Sequence, residues 1–77
     1  MNWNYQLGFK KEGYDTLYGV VEVYRNSSGD ITFTTENFVD ANHYEDAEEV
    51  KLALKRMLED CEHYPVLNLD NIVYAEV

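Results

Sequence analysis

The chain has 77 residues and a formal net charge of −9, from 15 acidic and 6 basic side chains. A domain of this length buries only about 60% of its unfolded surface, which leaves room for one small core. We therefore expect a single domain over residues 1–77. Hydrophobic residues make up 45% of the sequence, which is too many for a disordered chain in spite of the charge.

The acidic balance argues against direct nucleic-acid binding, because a phosphate backbone is bound by clusters of Lys and Arg. No apolar run approaches the roughly 20 residues of a membrane span, and residues 1–5 lack the basic and apolar regions of a signal peptide. The single Cys61 has no second cysteine with which to form an internal disulfide. We expect a cytoplasmic protein that binds neither nucleic acid nor membrane directly.

The N-terminal half predicts a three-stranded antiparallel meander. Residues 3–9 alternate apolar and polar side chains, the period-2 pattern of a strand with one buried face. A polar loop containing Gly13 leads into a second strand at 16–24, which is rich in β-branched and aromatic residues. Turn-forming residues at 25–30 then connect to a third strand at 31–35.

Residues 45–61 predict an amphipathic helix. At 100° per residue its apolar side chains form one stripe: Ala47, Val50, Ala53, Leu54, Met57, Leu58 and Cys61. Asn42 with Glu45 resembles a capping box, and the acids of the first turn suit the positive end of the helix dipole. Pro65 ends the helix, and residues 72–74 predict a short C-terminal strand.

Together these elements predict an α+β fold with the order β-β-β-α-β. A right-handed crossover through the helix would place the last strand parallel to the first, giving the strand order 3-2-1-4. One face of the sheet is expected to carry the helix. The other face is expected to be open to water or covered by a partner.

The acidic side chains of the helix have an ordinary explanation as a solvated, salt-bridged face. The expected pairs are Glu48 with Lys51, Lys55 with Glu59, and Arg56 with Asp60. Acids are disfavoured at the negative end of a helix dipole, yet three lie there. We interpret these three, Glu59, Asp60 and Glu62, as candidate partner-binding residues.

The outward face of the second strand is the other candidate surface. We expect Leu17, Val21 and Val23 to point to the helix. The alternate residues then point away from it, beside the third strand: Tyr18, Val20, Glu22 and Tyr24, with Thr32, Thr34 and Glu36. Tyrosine is enriched in interface cores, so Tyr18, Glu22 and Tyr24 are interpreted as partner-binding. The alternative interpretation is that these tyrosines are ordinary half-exposed strand residues without a partner. Leu52, on the polar side of the helix, is a minor candidate for a contact with a partner.

Catalytic and metal-binding patterns are weak. Cys61, His63 and His43 contain one Cys-x-His pair without the second paired motif of a zinc site. On a helix, residues two apart point about 200° apart, so Cys61 and His63 do not form a nucleophilic pair. The sequence has no nucleophile elbow, phosphate loop or H-E-x-x-H motif. We expect no metal, no cofactor and no enzymatic activity.

Several short motifs resemble a family of short uncharacterised bacterial proteins. Residues 3–5, 19–24, 57–59 and 65–67 are similar to that family's W-N-Y-R opening, E-V-Y-Y-D-x-x-G hairpin and P-V-L after the helix. The sequence departs from the family at Gln6, where Arg is common. The β-β-β-α-β order also resembles HicB-type antitoxins, whose domain neutralises a small basic RNA-cleaving toxin by covering it.

The sequence leaves three functions open. The leading expectation is an acidic, non-enzymatic module that inhibits a basic nucleic-acid-handling protein, in the manner of an anti-CRISPR protein, because negative charge steers toward basic surfaces. The first alternative is an antitoxin bound to a small basic toxin, as the HicB resemblance implies. The second is a structural homodimer joined through the tyrosine-bearing face or an edge strand.

Overall fold

The computed structural model describes residues 2–40 and 44–76. Its elements are β1 (Asn2–Glu12), β2 (Asp15–Arg25), β3 (Ile31–Thr34), α1 (Ala47–His63) and β4 (Leu67–Asn68). The strands form one sheet of order β3-β2-β1-β4, with β4 parallel to β1 and the other pairs antiparallel. The predicted α+β class, meander and strand order are confirmed.

A long hairpin of β1 and β2 is the frame of the molecule. Each strand has 11 residues and the two pair along their whole length. They are joined by a two-residue turn at 13–14, in which Gly13 has a φ of 63°, a left-handed conformation that glycine adopts at little cost. This turn fixes the register, which places Trp3 opposite Tyr24 and Phe9 opposite Tyr18.

The pairing of β3 differs from the prediction by one residue. A register shift between Tyr24 and Arg25 places Phe33 opposite Tyr24 and Thr34 opposite Val23. Phe33, and not Thr34, therefore shares a face with Tyr24. A shift of one residue in the pairing exchanges the two faces of a strand. The sequence pattern did not indicate this shift.

The buried side of the hairpin, which we call the inner face, consists of Asn4, Gln6, Gly8, Gly19, Val21 and Val23. The two valines are 1% and 0% exposed, and Asn4 and Gln6 are 4% and 1% exposed. The period-2 pattern of β1 thus predicted the strand correctly. Within β1, however, the polar residues Asn4 and Gln6 are buried and the aromatic residues are not, whereas hydrophobicity predicts the opposite.

A closed hydrogen-bond network makes this burial of amides possible. Asn4 Nδ2 donates to Gln6 Oε1 at 3.1 Å, and Gln6 Nε2 donates to the carbonyl of Pro65 at 2.8 Å. Arg25 donates to both amides, through Nε to Asn4 Oδ1 and through a terminal nitrogen to Gln6 Oε1, each at 2.9 Å. Its guanidinium also lies 5.0 Å from the ring centre of Tyr64. These bonds offset the cost of removing the amides from water.

Two glycines let other parts of the chain approach the inner face closely. Gly8 and Gly19 are directly opposite each other in β1 and β2. A Cβ on Gly8 would lie 2.7 Å from the side chain of Leu69, and one on Gly19 would lie 2.4 Å from the ring of Phe38. Leu69 and Phe38 therefore cover the inner face where a larger residue would hold them away.

The C-terminal strand lies earlier than predicted, at Leu67–Asn68 instead of 72–74. After β4 the Asp70 carboxylate accepts the N–H of Lys11 at 2.8 Å. The chain then leaves β1 and reaches β3, where the N–H of Ala75 donates to the carbonyl of Ile31 at 2.7 Å. The predicted segment instead crosses from one edge of the sheet to the other, with Ile72 half-buried and Val73 and Tyr74 exposed.

The N-cap of the helix lies four residues after the predicted one. Asp46 is the N-cap and accepts the N–H of Glu49 at 2.9 Å, while the Glu49 carboxylate accepts the N–H of Glu45 at 3.2 Å. This reciprocal arrangement resembles the expected capping box. The predicted cap residue Asn42 lies outside the described residues.

The helix packs against the edge of β1 that does not pair with β2. The N–H of Tyr5 donates to Asp60 Oδ2 at 3.0 Å, so the end of the helix satisfies a backbone donor of the strand. Of the predicted apolar stripe, Met57 is buried, whereas Leu54 and Leu58 are exposed. Within the described residues, no helix has the length and hydrophobicity needed to cross a membrane.

Two of the predicted helical ion pairs are confirmed and one is wrong. Glu48 lies 3.2 Å from Lys51, and Lys55 lies 3.9 Å from Glu59. Asp60 instead accepts a backbone hydrogen bond from β1, and Arg56 lies over aromatic rings of that strand. Both side chains of the expected third pair are therefore directed to the sheet.

Candidate functional site: an open aromatic sheet face

The side of the sheet opposite the inner face is rich in aromatic residues. We call it the aromatic face, and it consists of Trp3, Tyr5, Leu7, Phe9, Tyr18, Val20, Glu22, Tyr24 and Phe33. None of these residues is buried, and Tyr18 and Phe33 are 68% and 56% exposed. The other seven residues are half-buried, and the exposed apolar surface makes this face a candidate interaction site.

Four of the rings form a continuous row across the sheet. Ring centres are 5.7 Å apart for Phe33 and Tyr24, 6.3 Å for Tyr24 and Trp3, and 5.1 Å for Trp3 and Tyr5. These separations are within the range of favourable aromatic pairs. The rings hold one another in place, so a partner would meet a largely preordered surface.

Arg56 reaches this row from the helix. Its guanidinium carbon lies 4.2 Å from the ring centre of Trp3 and 5.7 Å from that of Tyr5. Both distances are within reach of a cation–π interaction. One half of the aromatic row therefore already holds a guanidinium group supplied by the protein itself.

Glu22 is the acidic residue of the aromatic face. It lies opposite Tyr5 in the hairpin, and its Oε1 accepts the hydroxyl of Tyr24 at 2.7 Å. This hydrogen bond raises the pKa of Tyr24, because the carboxylate favours the protonated phenol. Burial, followed by the neighbouring Tyr44, raises the pKa of Tyr5. The face thus combines neutral rings with one carboxylate.

The structure separates the two groups of candidate residues predicted from the sequence. Tyr18, Glu22 and Tyr24 lie together on the aromatic face. Glu59 and Glu62 are exposed and point about 160° and 140° away from the buried Met57 around the helix axis.

Asp60 connects the helix to the sheet, because its carboxylate accepts the N–H of Tyr5. The minor candidate Leu52 is 67% exposed. It lines an open hollow of about 480 Å³ together with Tyr5 and Arg56.

Sequence reasoning missed that Trp3, Tyr5 and Phe9 are only half-buried and that Phe33 is exposed. Their hydrophobicity predicts burial, and the alternation in β1 does not say which of its two faces is covered. The informative signal was the hairpin register. A two-residue turn after Glu12 places the aromatic residues of β1 on the same face as the tyrosines of β2, so both sets are covered or both are open.

The chemistry of a metal or catalytic site has little support among residues 2–40 and 44–76. No cluster of three His, Cys, Asp or Glu side chains in these ranges is arranged to hold a metal. Burial and the neighbouring Asp60 raise the pKa of Cys61, whereas an activated thiol needs a lowered pKa. His63 packs edge-on against Tyr64 at 4.8 Å, and His43 lies outside the described residues.

No protein-family model, curated protein or solved structure matches this chain. What the protein does is therefore inferred from the aromatic face and from the distribution of charge. The aromatic face is the feature with the clearest physical interpretation, because six aromatic rings lie on one side of a small sheet without being buried.

Proposed function

We propose that this protein is a non-enzymatic binding module that holds a basic partner protein on its aromatic face. Its most concrete form is an inhibitor of a protein that handles nucleic acid. The supporting observation is the open aromatic face on a chain with a net charge of −9. Aromatic residues are enriched in interface cores and dominate binding energy, which makes this face suited to protein contact.

The exposed area supports a partner of ordinary size. The chain has an accessible surface of 5771 Å². A folded monomer of this length exposes about 4,900 Å², so the excess is about 900 Å². A standard protein interface buries about 800 Å² on each partner. The surplus is thus about the area that one partner of ordinary size would cover.

The charge supports a basic partner. The helical acids Glu59 and Glu62 are exposed, and their field would speed the approach of a basic partner. Glu22 would make the direct contact, since it lies among the rings. We thus assign contact to Glu22, Tyr18 and Tyr24 and steering to the helical acids. A small basic toxin is one partner that this division of roles would accept.

The test is a capture experiment with matched variants. Protein immobilised at low salt is exposed to a bacterial lysate, and the retained proteins are compared among wild type, Tyr18→Ser with Phe33→Ser, and Tyr14→Ser. Tyr14 is the control, because it is fully exposed at the hairpin turn and lies outside the aromatic face. The proposal expects a basic protein that wild type and Tyr14→Ser retain, that the double variant loses, and that high salt releases.

Equal retention by all three forms would refute the use of the aromatic face. If high salt does not release the captured protein, the role of charge is refuted.

A homodimer is the second candidate, and one observation favours it. The aromatic face carries one acid, Glu22, and one base, Arg56, which lies over the Trp3 ring. Because these two charges balance, two copies would not repel each other at this face in spite of the net charge. Two such faces in contact would bury the exposed rings. Sedimentation of the isolated protein at high concentration distinguishes this candidate, which requires a dimer that Tyr18→Ser with Phe33→Ser converts to a monomer.

A further inference from the structure

We propose that the aromatic face recognises arginine side chains of its partner, with Arg56 occupying one such position in the free protein. This inference rests on the proposed function and specifies the partner's chemistry. The position open to a partner arginine lies over Tyr24 and Phe33, beside the carboxylate of Glu22.

Arg56 provides the internal example. Its guanidinium lies 4.2 Å from the centre of the Trp3 ring, and within the described residues it forms no ion pair with a carboxylate. The rings of Trp3 and Tyr5 therefore hold an arginine without the help of a counter-charge. A guanidinium thus fits over this half of the row.

The other half of the row has a similar spacing of ring centres, although its rings are tilted where Trp3 and Tyr5 meet edge to face, and it has an acid in addition. Tyr24 and Phe33 have ring centres 5.7 Å apart, and Phe33 is 56% exposed. Glu22 uses Oε1 to accept the hydroxyl of Tyr24, and within the described residues Oε2 accepts no hydrogen bond. A guanidinium stacked on Tyr24 would thus find a carboxylate oxygen ready to accept its N–H groups.

Arginine fits this position better than lysine. Guanidinium is planar and weakly hydrated, so it stacks on a ring and donates to a carboxylate at the same time. An ammonium group is compact and strongly hydrated, and it gains less from a flat ring surface. Simple charge attraction would treat both residues alike, so discrimination between them is the signature of this site.

The experiment titrates wild-type protein with two blocked peptides of equal length and charge, hexa-arginine and hexa-lysine. Trp3 is the single tryptophan, so its fluorescence and its indole N–H signal in NMR spectra report on the aromatic row. We expect hexa-arginine to bind about tenfold more tightly than hexa-lysine, within the range that stacked cations contribute. Equal affinities for the two peptides would overturn the inference without any need for a variant.

Variants then locate the site. Tyr24→Leu and Phe33→Leu are each expected to weaken hexa-arginine binding about three- to tenfold, and Tyr14→Leu to leave it within about twofold. Circular dichroism confirms that each variant is folded, and Phe33→Leu still tests the site if Tyr24→Leu unfolds. A loss as large in Tyr14→Leu would contradict the inference.

The charged residues have their own matched pair. Glu22→Gln is expected to weaken hexa-arginine binding more than Glu62→Gln, since Glu62 lies on the outward side of the helix. Arg56→Gln is expected to tighten binding about threefold, because it uncovers Trp3 and Tyr5 and removes a competing cation. Weaker binding by Arg56→Gln would contradict its role as an internal occupant.

The two proposals fail in different ways. If Tyr18→Ser with Phe33→Ser loses the captured partner while the two peptides bind equally, the proposed function stands and the arginine inference falls. If the double variant keeps the partner, the proposed function itself falls.

Discussion

The inner face of the sheet carries two amides, two glycines and two valines and is covered by the chain, whereas of the six rings on the aromatic face two are exposed and four are half-buried. The burial of the polar residues on the inner face depends on how closely the chain can approach them, and not on their hydrophobicity. Gly8 and Gly19 admit Leu69 and Phe38, and Arg25 satisfies the amides. None of the rings of the opposite face is buried.

The largest effect is expected from Gly19→Ala. Its Cβ would lie 2.4 Å from the Phe38 ring, so the ring must move off the inner face. We expect a loss of about 2–3 kcal/mol in the free energy of unfolding, the cost of overpacking a close contact. Urea unfolding followed by circular dichroism measures it, with Val20→Ala on the aromatic face as the control. A change below about 0.5 kcal/mol would mean that Phe38 does not cover Gly19.

Gln6→Leu is expected to cost slightly less, about 1–3 kcal/mol, because it leaves donors of Arg25 and the carbonyl of Pro65 without their partner. The same unfolding measurement applies. Combining Gln6→Leu with Arg25→Met should cost less than the sum of the two single changes, since the two side chains share one network. Additive losses would show that the network is not coupled.

Substitutions on the aromatic face should separate stability from binding. Tyr18→Ser and Phe33→Ser each remove a side chain that is more than half exposed, so we expect changes of no more than about 1 kcal/mol in the free energy of unfolding. Partner affinity should fall at least about tenfold in the double variant. A destabilisation as large as that of Gly19→Ala would place these rings in the core.

The smallest effect concerns pH. The hydrogen bond to Glu22 raises the pKa of Tyr24 above its ordinary value of 10.0, so the folded protein holds this proton more tightly than the unfolded chain. The resulting stabilisation is fully present below pH 10 and is lost as the pH rises through the folded pKa.

In Tyr24→Phe this part of the loss should disappear. Unfolding measured between pH 9 and 11.5 in both proteins checks it, together with the phenolate absorbance. Identical profiles for wild type and Tyr24→Phe would contradict the assignment.

Much of the fold follows from local patterns in the sequence. The strands at 3–9 and 16–24, the helix and the strand order were all predicted, because periodicity and turn residues act over a few positions. The C-terminal strand was misplaced, since an apolar segment that crosses a sheet resembles one that joins it. The N-cap lies four residues after the predicted one, and the pairing of β3 differs by one residue from the prediction. Local patterns did not indicate either difference.

The candidate site was predicted only in part. Tyr18, Glu22 and Tyr24 were placed on one outward face, but their neighbours Trp3 and Phe33 were not recognised. Deciding which face of β1 is covered requires the contacts of Phe38 and Leu69 with the glycines, which come from distant parts of the chain. The resemblance to uncharacterised bacterial proteins and to HicB-type antitoxins stays a prediction.

The central claim is that the aromatic face is open in the free protein and closed by a partner. Hydroxyl-radical footprinting tests it most directly, by comparing oxidation of Tyr18 and Phe33 in the free protein and in the captured complex. We predict rapid oxidation of both in the free protein and several-fold protection in the complex, with Tyr14 unchanged. Slow oxidation of Tyr18 and Phe33 in the free protein, or equal rates in both states, would contradict the claim.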